Sequence, residues 1–410
     1  MTLEELMKTV GCDGWPERFA SLYESVKADF EQNGCPYLTP AYYDDLATRY
    51  GVFRDRLSLY KKAAARVAED DALSLFFHLL CRALENRETA YKEILALKLP
   101  KSKTGEHCLA LDMLEALAIF SEIPYCYGKL KEIGLPEDYI RETLSRLEYG
   151  VTEYAERNGG APGYGLLYWN QRIIDGRLFR VGRLELELHE GCPARATVFE
   201  NEKGERVALA DGVKLHKSGY AHGGIFYEDE TDAWEASVTE TDTAYEGHPF
   251  DGRGFVLREK RVLAKSAWRP ILTPRDNVIS IHIPADGKLD HDAVTATYRE
   301  MKKFLAKYFP SFDYKAFYCA SWLLEPNLDT LLGNDSNIVK FGKDYHRFVA
   351  LDGGYGVFYF AFQVTGKPGT DYPFDDLPDH TRLLKAIKEH YKKGRGIYAV
   401  SGVIFPDEIE

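Results

Sequence analysis

Near residue 158 the hydrophobic pattern of the chain changes period, and no single fold class accommodates both halves. Before that point apolar residues recur at helical spacing. In residues 71–95, Leu73, Phe76, Phe77, Leu80, Leu84, Tyr91 and Leu95 fall about 3.6 positions apart. Residues 106–123 and 137–157 read the same way. Pro136 suits a first helical turn, where its missing N–H costs nothing. Gly34, Pro36, Pro40, Pro100, Pro124 and Gly134 break the helices apart. Residues 1–157 are therefore expected to form an all-helical N-terminal domain of about six helices. The stretch Asn158-Gly-Gly-Ala-Pro-Gly-Tyr-Gly165 is the richest turn cluster and reads as the linker.

After the linker the pattern alternates. Residues 178–188 form the clearest strand, with Leu184, Leu186 and Leu188 on one face and Glu185 and Glu187 on the other. Asn201-Glu-Lys-Gly204 reads as a hairpin turn between strands at 194–200 and 205–210. Further strands are expected at 224–228, 233–239, 254–264 and 277–283. A helix follows at 291–309, then a strand at 317–324, apolar enough to be buried on both faces. A short helix at 327–332, strands at 346–351 and 357–363, a helix at 379–392 and a strand at 396–405 complete the order. Residues 158–410 thus imply a mixed sheet with flanking helices, and the chain as a whole an α+β or α/β arrangement.

Composition narrows the function classes. The chain has 410 residues, 45% hydrophobic and 28% charged, values of a folded protein and not of a disordered one. No stretch approaches the roughly 18–20 apolar residues that cross a bilayer, and the first residues lack a signal-peptide pattern. The formal charge of −12 disfavours general nucleic-acid binding, which rests on cation–phosphate contacts. Seven scattered cysteines without a C-x-x-C suit a reducing compartment, so a cytoplasmic protein is expected. His78 with Cys81, and His189 with Cys192, have i, i+3 spacing but no second ligand pair, so no metal site is expected.

The loop 284–291 carries the most chemistry. It leaves a strand and enters a helix, Gly287 allows close backbone approach, and Asp290 suits an N-cap. Such a junction presents unpaired N–H groups and a positive dipole end, which suits a pyrophosphate, and Lys288 adds a cation. Beyond the next strand, Pro326 stops the ladder. Ligands of open α/β sheets gather at the carboxyl ends of strands, which makes His282, Ser321, Trp322 and Glu325 the candidates there. His282 or Glu325 has the chemistry of a general base. Cys319 fits a buried small hydrophobe better than a nucleophile. Ala221-His-Gly-Gly224 is like an esterase oxyanion loop, but no G-x-S-x-G accompanies it. Gly353-Gly-Tyr-Gly356 reads as a tight hairpin, and neither a Walker A motif nor G-x-G-x-x-G occurs.

Several segments together resemble a bacterial acyltransferase-domain family that pairs a helical N-terminal domain with a GNAT-like (acyl-CoA N-acyltransferase) C-terminal domain. They are Leu178-Phe-Arg-Val-Gly-Arg-Leu-Glu-Leu-Glu187, Ile281-His-Ile-Pro-x-x-Gly-x-Leu289, Phe309-Pro310, Cys319-x-Ser-Trp-Leu-Leu-x-Pro326 and Ser336-Asn-Ile338 before Phe341. The resemblance implies an acyl-CoA-dependent acyltransferase, with acyl-CoA as co-substrate between two splayed parallel strands and a small amine or similar acceptor. It implies a donor site at Ile283, Pro284, Ala285, Asp286, Gly287, Lys288 and Leu289, with Ser321 and Trp322 opposite. Glu325 or His282 would be the base and Tyr345 the proton donor to the leaving thiol. The usual loop signature of that fold, Arg or Gln-x-x-Gly-x-Gly or Ala, is replaced here by Pro284-Ala-Asp-Gly-Lys-Leu289. The alternative is a non-catalytic protein binding a small molecule or acyl ligand on a degenerate GNAT scaffold. No nucleic acid or membrane partner is expected, and the state is a monomer or homodimer.

Overall fold

The structure, a computed structural model, describes residues 1–53, 55–85, 91–103, 106–223, 225–349, 354–364, 369 and 372–410. The chain divides into two compact units, Met1–Arg180 and Val181–Glu410.

The first unit is helical: α1 (Leu3–Thr9), α2 (Glu17–Asn33), α3 (Pro40–Tyr50), α4 (Leu57–Ala68), α5 (Asp71–Glu85), α6 (Tyr91–Ala96), α7 (Leu109–Asp112), α8 (Leu114–Ser121), α9 (Ile123–Glu132), α10 (Glu137–Ser145), α11 (Tyr149–Arg157) and α12 (Leu167–Ile174). The expected helix over 71–95 is α5 and α6, with residues 86–90 between them outside the described ones. α5 and α8 are buried along almost their whole length, because their apolar residues surround the helix instead of forming one stripe. Phe53, Tyr60 and Phe120 meet edge to face, with ring centroids 4.7–4.9 Å apart. The Glu148 carboxylate accepts from the Phe53 amide at 3.0 Å and the Tyr60 hydroxyl at 3.0 Å, which holds Phe53 at its positive φ of 65°. The turn cluster Asn158–Gly165 lies between α11 and α12.

The second unit is built on a six-stranded sheet. Its strands are β1 (Leu178–Val181), of which Leu178–Arg180 are the last residues of the first unit, β2 (Leu184–His189), β11 (Asn277–His282), β12 (Tyr314–Ser321), β14 (Val400–Ile404) and β13 (His346–Val349), in that spatial order. A second sheet comprises β3 (Ala196–Asn201), β4 (Arg206–Ala210), β7 (Thr239–Glu240), β8 (Ala244–Pro249), β9 (Arg261–Ala264) and β10 (Trp268–Leu272), and β5 (Val213–Leu215) pairs with β6 (Trp234–Ala236). Val198 and Leu272 of the second sheet pack with Val278, Tyr318, Phe348 and Val403 of the first, forming the core between them. α13 (His291–Tyr308) crosses from β11 to β12, which makes that pair parallel. α14 (Asn327–Leu332), α15 (Asn337–Lys343) and α16 (Arg382–Lys392) follow, with a separate apolar cluster around Leu328, Val339, Phe358, Ile387 and Tyr391.

Several expected strands take other forms. Residues 357–363 include a π-helical segment, Phe358–Phe362. A short apolar run cannot be assigned by periodicity, and here Val357, Phe358 and Phe362 are buried while Tyr359 and Phe360 face outward. Residues 224–228 contain no strand among the described ones, and 254–264 shortens to β9. The strand expected at 317–324 begins earlier and ends at Ser321, whose Oγ accepts from the Leu323 amide at 3.2 Å and turns the chain into a 3₁₀ segment, Trp322–Leu324. The strand at 346–351 is described only as far as Val349. Gly353-Gly-Tyr-Gly356 begins outside the described residues and Ala221-His-Gly-Gly224 ends outside them.

The β1–β2 hairpin turns on two residues, Gly182 and Arg183, a length that favours positive φ at the first. Gly182 has φ 53°, and a Cβ there would lie 2.5 Å from the Thr297 Oγ1 on α13. The same Oγ1 accepts from the Arg183 amide at 2.9 Å and donates to the Ala293 carbonyl at 2.8 Å, so the turn is seated on the first turns of α13. Gly182→Ala is expected to cost about 1–3 kcal/mol, combining the φ penalty with the clash. Urea unfolding measures it, and an unchanged midpoint would contradict the seating.

Candidate active site

β11 and β12 pair in parallel register at Val278–Ala316, Ile279–Phe317 and Ser280–Tyr318, and there the pairing ends. Both strands continue, β11 to His282 and β12 to Ser321. Each keeps its outer neighbour: His282 pairs with Glu185 of β2, and Ser321 pairs with Val400 of β14. Continued register would join Ile281 to Cys319 and His282 to Ala320, and those pairs do not form. The two strands therefore run on from Ser280 and Tyr318 as the sides of a wedge, without further β11–β12 pairing.

His282 stands at the lip of this wedge. Its Nε2 lies 2.9 Å from the Oε2 of Glu187. Alternation puts Glu185, Glu187, Ser280 and His282 on one face of the sheet. Glu187 is 5% exposed and Glu185 4%, so both the leucine face and the glutamate face of β2 are buried. A carboxylate only accepts, so Nε2 is the donor in this bond and proton acceptance falls to Nδ1. The signal that could have singled out Glu187 is the flanking of the Leu-Glu-Leu-Glu-Leu run by two further strand patterns.

Glu325 follows the 3₁₀ segment and is almost wholly buried. The Tyr220 hydroxyl and the Asn327 Nδ2, at 3.0 Å, donate to one of its oxygens, and the Asn327 amide donates to the other at 2.9 Å. Tyr220 is stacked on Tyr227, with centroids 4.5 Å apart. Burial raises the carboxyl and the hydrogen bonds from Tyr220 and Asn327 lower it. Burial prevails, and the group is pushed up to about 7.

The other sequence candidates are placed as follows. Tyr345 lies on the opposite face of the sheet from His282: its hydroxyl is 2.7 Å from that of Tyr298 on α13, and burial pushes it well above the usual tyrosine range. With Tyr298, Arg299, Lys343, His346 and Glu408 it lines a cavity of about 490 Å³ that includes none of His282, Glu325 or the loop. His346 bonds Glu408 there at 2.7 Å, and the cavity shares no lining residue with the wedge. Cys319 is buried on that same far face and its thiol is pushed up to about 12 by burial, so it stays protonated. Ser321 serves as the cap already described, and Trp322 packs against the apolar cluster of α14–α16.

The loop after β11 is held from below. Arg183 donates from Nε to the Lys288 carbonyl at 2.7 Å, and from Nη2 to the carbonyls of Pro284 at 2.9 Å and Gly287 at 2.6 Å. Pro284 is buried, Ile283 and Leu289 are half-buried, and Ala285, Asp286, Gly287 and Lys288 are exposed. Asp290 caps α13, its Oδ1 accepting from the Ala293 amide at 3.0 Å, and Asp292 follows in the first turn. Among the described residues no cluster of His, Cys, Asp and Glu is arranged to hold a metal ion, and no helix is long and apolar enough to cross a membrane.

The family profile described as a GNAT-like C-terminal domain matches residues 178–404. No curated protein matches the chain by sequence. Solved structures of similar shape include an acyltransferase in complex with decanoyl-CoA and teicoplanin, 19% identical with a TM-score of 0.59. A mutant acyltransferase in complex with octanoyl-CoA is 18% identical, also at 0.59. Each match covers 99% of both chains. At such identities the likeness establishes the fold.

The Glu325 network has a measurable signature. Its folded carboxyl at about 7 exceeds the ordinary 4.5, so the folded chain holds a proton that the unfolded chain releases between those values. The stability this contributes is full below pH 4.5 and is lost as pH rises through 7. Unfolding free energies of the unmodified protein and Glu325→Gln should therefore diverge by about 3 kcal/mol across that range, the unmodified protein losing ground. A pH-independent difference in urea titrations would refute the raised carboxyl.

Proposed function

The chain belongs to the GNAT-like C-terminal domain family, and from that premise we propose that it is an acyl-CoA-dependent N-acyltransferase acting on a small amine. The observation that carries the reading is the parted β11–β12 pair with the His282–Glu187 couple at its lip. The acyltransferase structures of this shape, in complex with octanoyl-CoA and with decanoyl-CoA, support a medium-chain thioester as donor.

In this reading the thioester lies in the wedge, and main-chain N–H groups near His282 and Ile283 polarise its carbonyl oxygen. The amine nitrogen attacks the carbonyl carbon, the C–N bond forms and the C–S bond breaks. One amine proton passes to His282 and then to the departing thiolate, giving an amide and a free thiol. Glu187 fixes the imidazole and stabilises its charged form. Glu325, enclosed by Tyr220 and Asn327, shapes the far side of the wedge, and Ser321 and Trp322 border it. Tyr345 lies across the sheet, and thiolate protonation is assigned to His282 in its place. We read it further as a bacterial cytoplasmic protein, monomeric or dimeric, with no nucleic-acid partner, a reading supported by the net charge of −12 and by seven cysteines that form no disulfide.

Release of free thiol from octanoyl-CoA in the presence of a panel of amines tests the reading. His282→Ala should lower kcat by about 10²–10⁴. Glu187→Gln should lower it by roughly tenfold or more and reshape the pH–rate profile. Unchanged rates in His282→Ala would remove the histidine from its role, and failure of every donor and amine would remove the activity.

A further inference from the structure

We propose that Arg183, whose guanidinium is buried beneath the loop after β11, sets the affinity for the nucleotide end of the donor by turning the main chain of residues 284–289 so that its amides face outward. Arg183 is in this sense a positioning residue. The inference rests on the acyl-transfer reading and concerns how the donor is held, not how the acyl group moves.

The Arg183 side chain is 10% exposed. Its Nε donates to the Lys288 carbonyl and its Nη2 to those of Pro284 and Gly287, at 2.6–2.9 Å. The peptide bonds among the described residues are all trans, and in a trans peptide the N–H is antiparallel to the C=O. A carbonyl aimed at the guanidinium therefore aims the next residue's amide away from it. The amides so turned are those of Ala285, Lys288 and Leu289, and none of them donates to a protein group among the described residues. Amides gathered in one turn form the kind of concavity that takes a phosphate. The exposed Lys288 side chain adds a cation. Arg183 Nη1 lies 3.8 Å from the Asp286 Oδ1, so the guanidinium also offsets the carboxylate inside the loop.

The loop's own residues do not dictate this path. Residues 284–289 contain one glycine, Gly287, and it lies outside the left-handed region where glycine is needed. Arg183 is itself fixed, because its amide donates to the Thr297 Oγ1 on α13 at 2.9 Å. Turn, loop and the start of α13 are thereby held in one frame. A lysine cannot replace the arginine here: a single ammonium on a flexible stem lacks the planar fork that reaches three carbonyls.

Calorimetry with the full chain and no acceptor tests this, using octanoyl-CoA and S-octanoyl-pantetheine, which lacks the nucleotide and its phosphates. Arg183→Ala and Arg183→Lys should each weaken octanoyl-CoA by about tenfold or more and leave the short thioester within about twofold. Methylguanidinium should restore part of the loss in Arg183→Ala. In turnover assays KM for octanoyl-CoA should rise while kcat at saturating donor holds. A general defect of folding would weaken both thioesters together, and that result would overturn the inference. So would Arg183→Lys binding octanoyl-CoA as the unmodified protein does. Amide hydrogen exchange in the unmodified chain needs no variant: octanoyl-CoA should slow exchange across residues 285–289, and the short thioester should not. Binding of octanoyl-CoA without that slowing would remove the inference and leave acyl transfer standing. Binding of neither thioester would bring down the acyl-transfer reading itself, and this inference with it.

Discussion

The β11–β12 ladder ends at Ser280 and Tyr318 while each strand remains bonded to its other neighbour, and the candidate chemistry depends on that early ending. The two strands are fastened on opposite sides, β11 to β2 and β12 to β14, so opening them costs no outer hydrogen bond. Unsatisfied main-chain groups are expensive when buried and useful when a ligand can reach them. In this parallel pair the crossover helix α13 starts at the end where the strands part and returns the chain to the opposite end, where β12 begins.

β2 supplies the second requirement. As an interior strand of the sheet it has both edges paired, and the burial of Glu185 and Glu187 shows that the face they share is covered as well. Buried carboxylates are tolerated when they have partners, and the imidazole of His282 gives Glu187 one. The same packing that makes β2 a core strand therefore fixes the orientation of the histidine beside it.

Much of this was legible in the residues. The change of period separated helices from strands, Asp290 was identifiable as an N-cap, and His282 followed from its place at a strand end. Three things were not. Whether a glutamate in an alternating strand faces water depends on neighbours that pair from far along the chain, as β11 does with β2. The side of the sheet on which Tyr345 falls depends on how β13 pairs with β14, and there it packs so close to Gly402 that a Cβ at that position would lie 2.9 Å from its own. The apolar run at 357–362 gave no period that distinguishes a strand from a π-helical turn, and only the inward Phe358 and Phe362 with the outward Phe360 reveal it.

Three hydrogen bonds from Arg183 to the loop after β11 end on main-chain oxygens. A fastening of that kind is indifferent to the side chains it holds. Residues 285–288 can therefore be exchanged without losing the loop's path, provided the arginine and its two-residue turn remain. Loop shape and loop chemistry become separable traits, so a donor preference can drift or be redesigned on a frame that does not move. A signature written in the loop's own letters is then a weak guide to ancestry, and the arginine beneath it a better one.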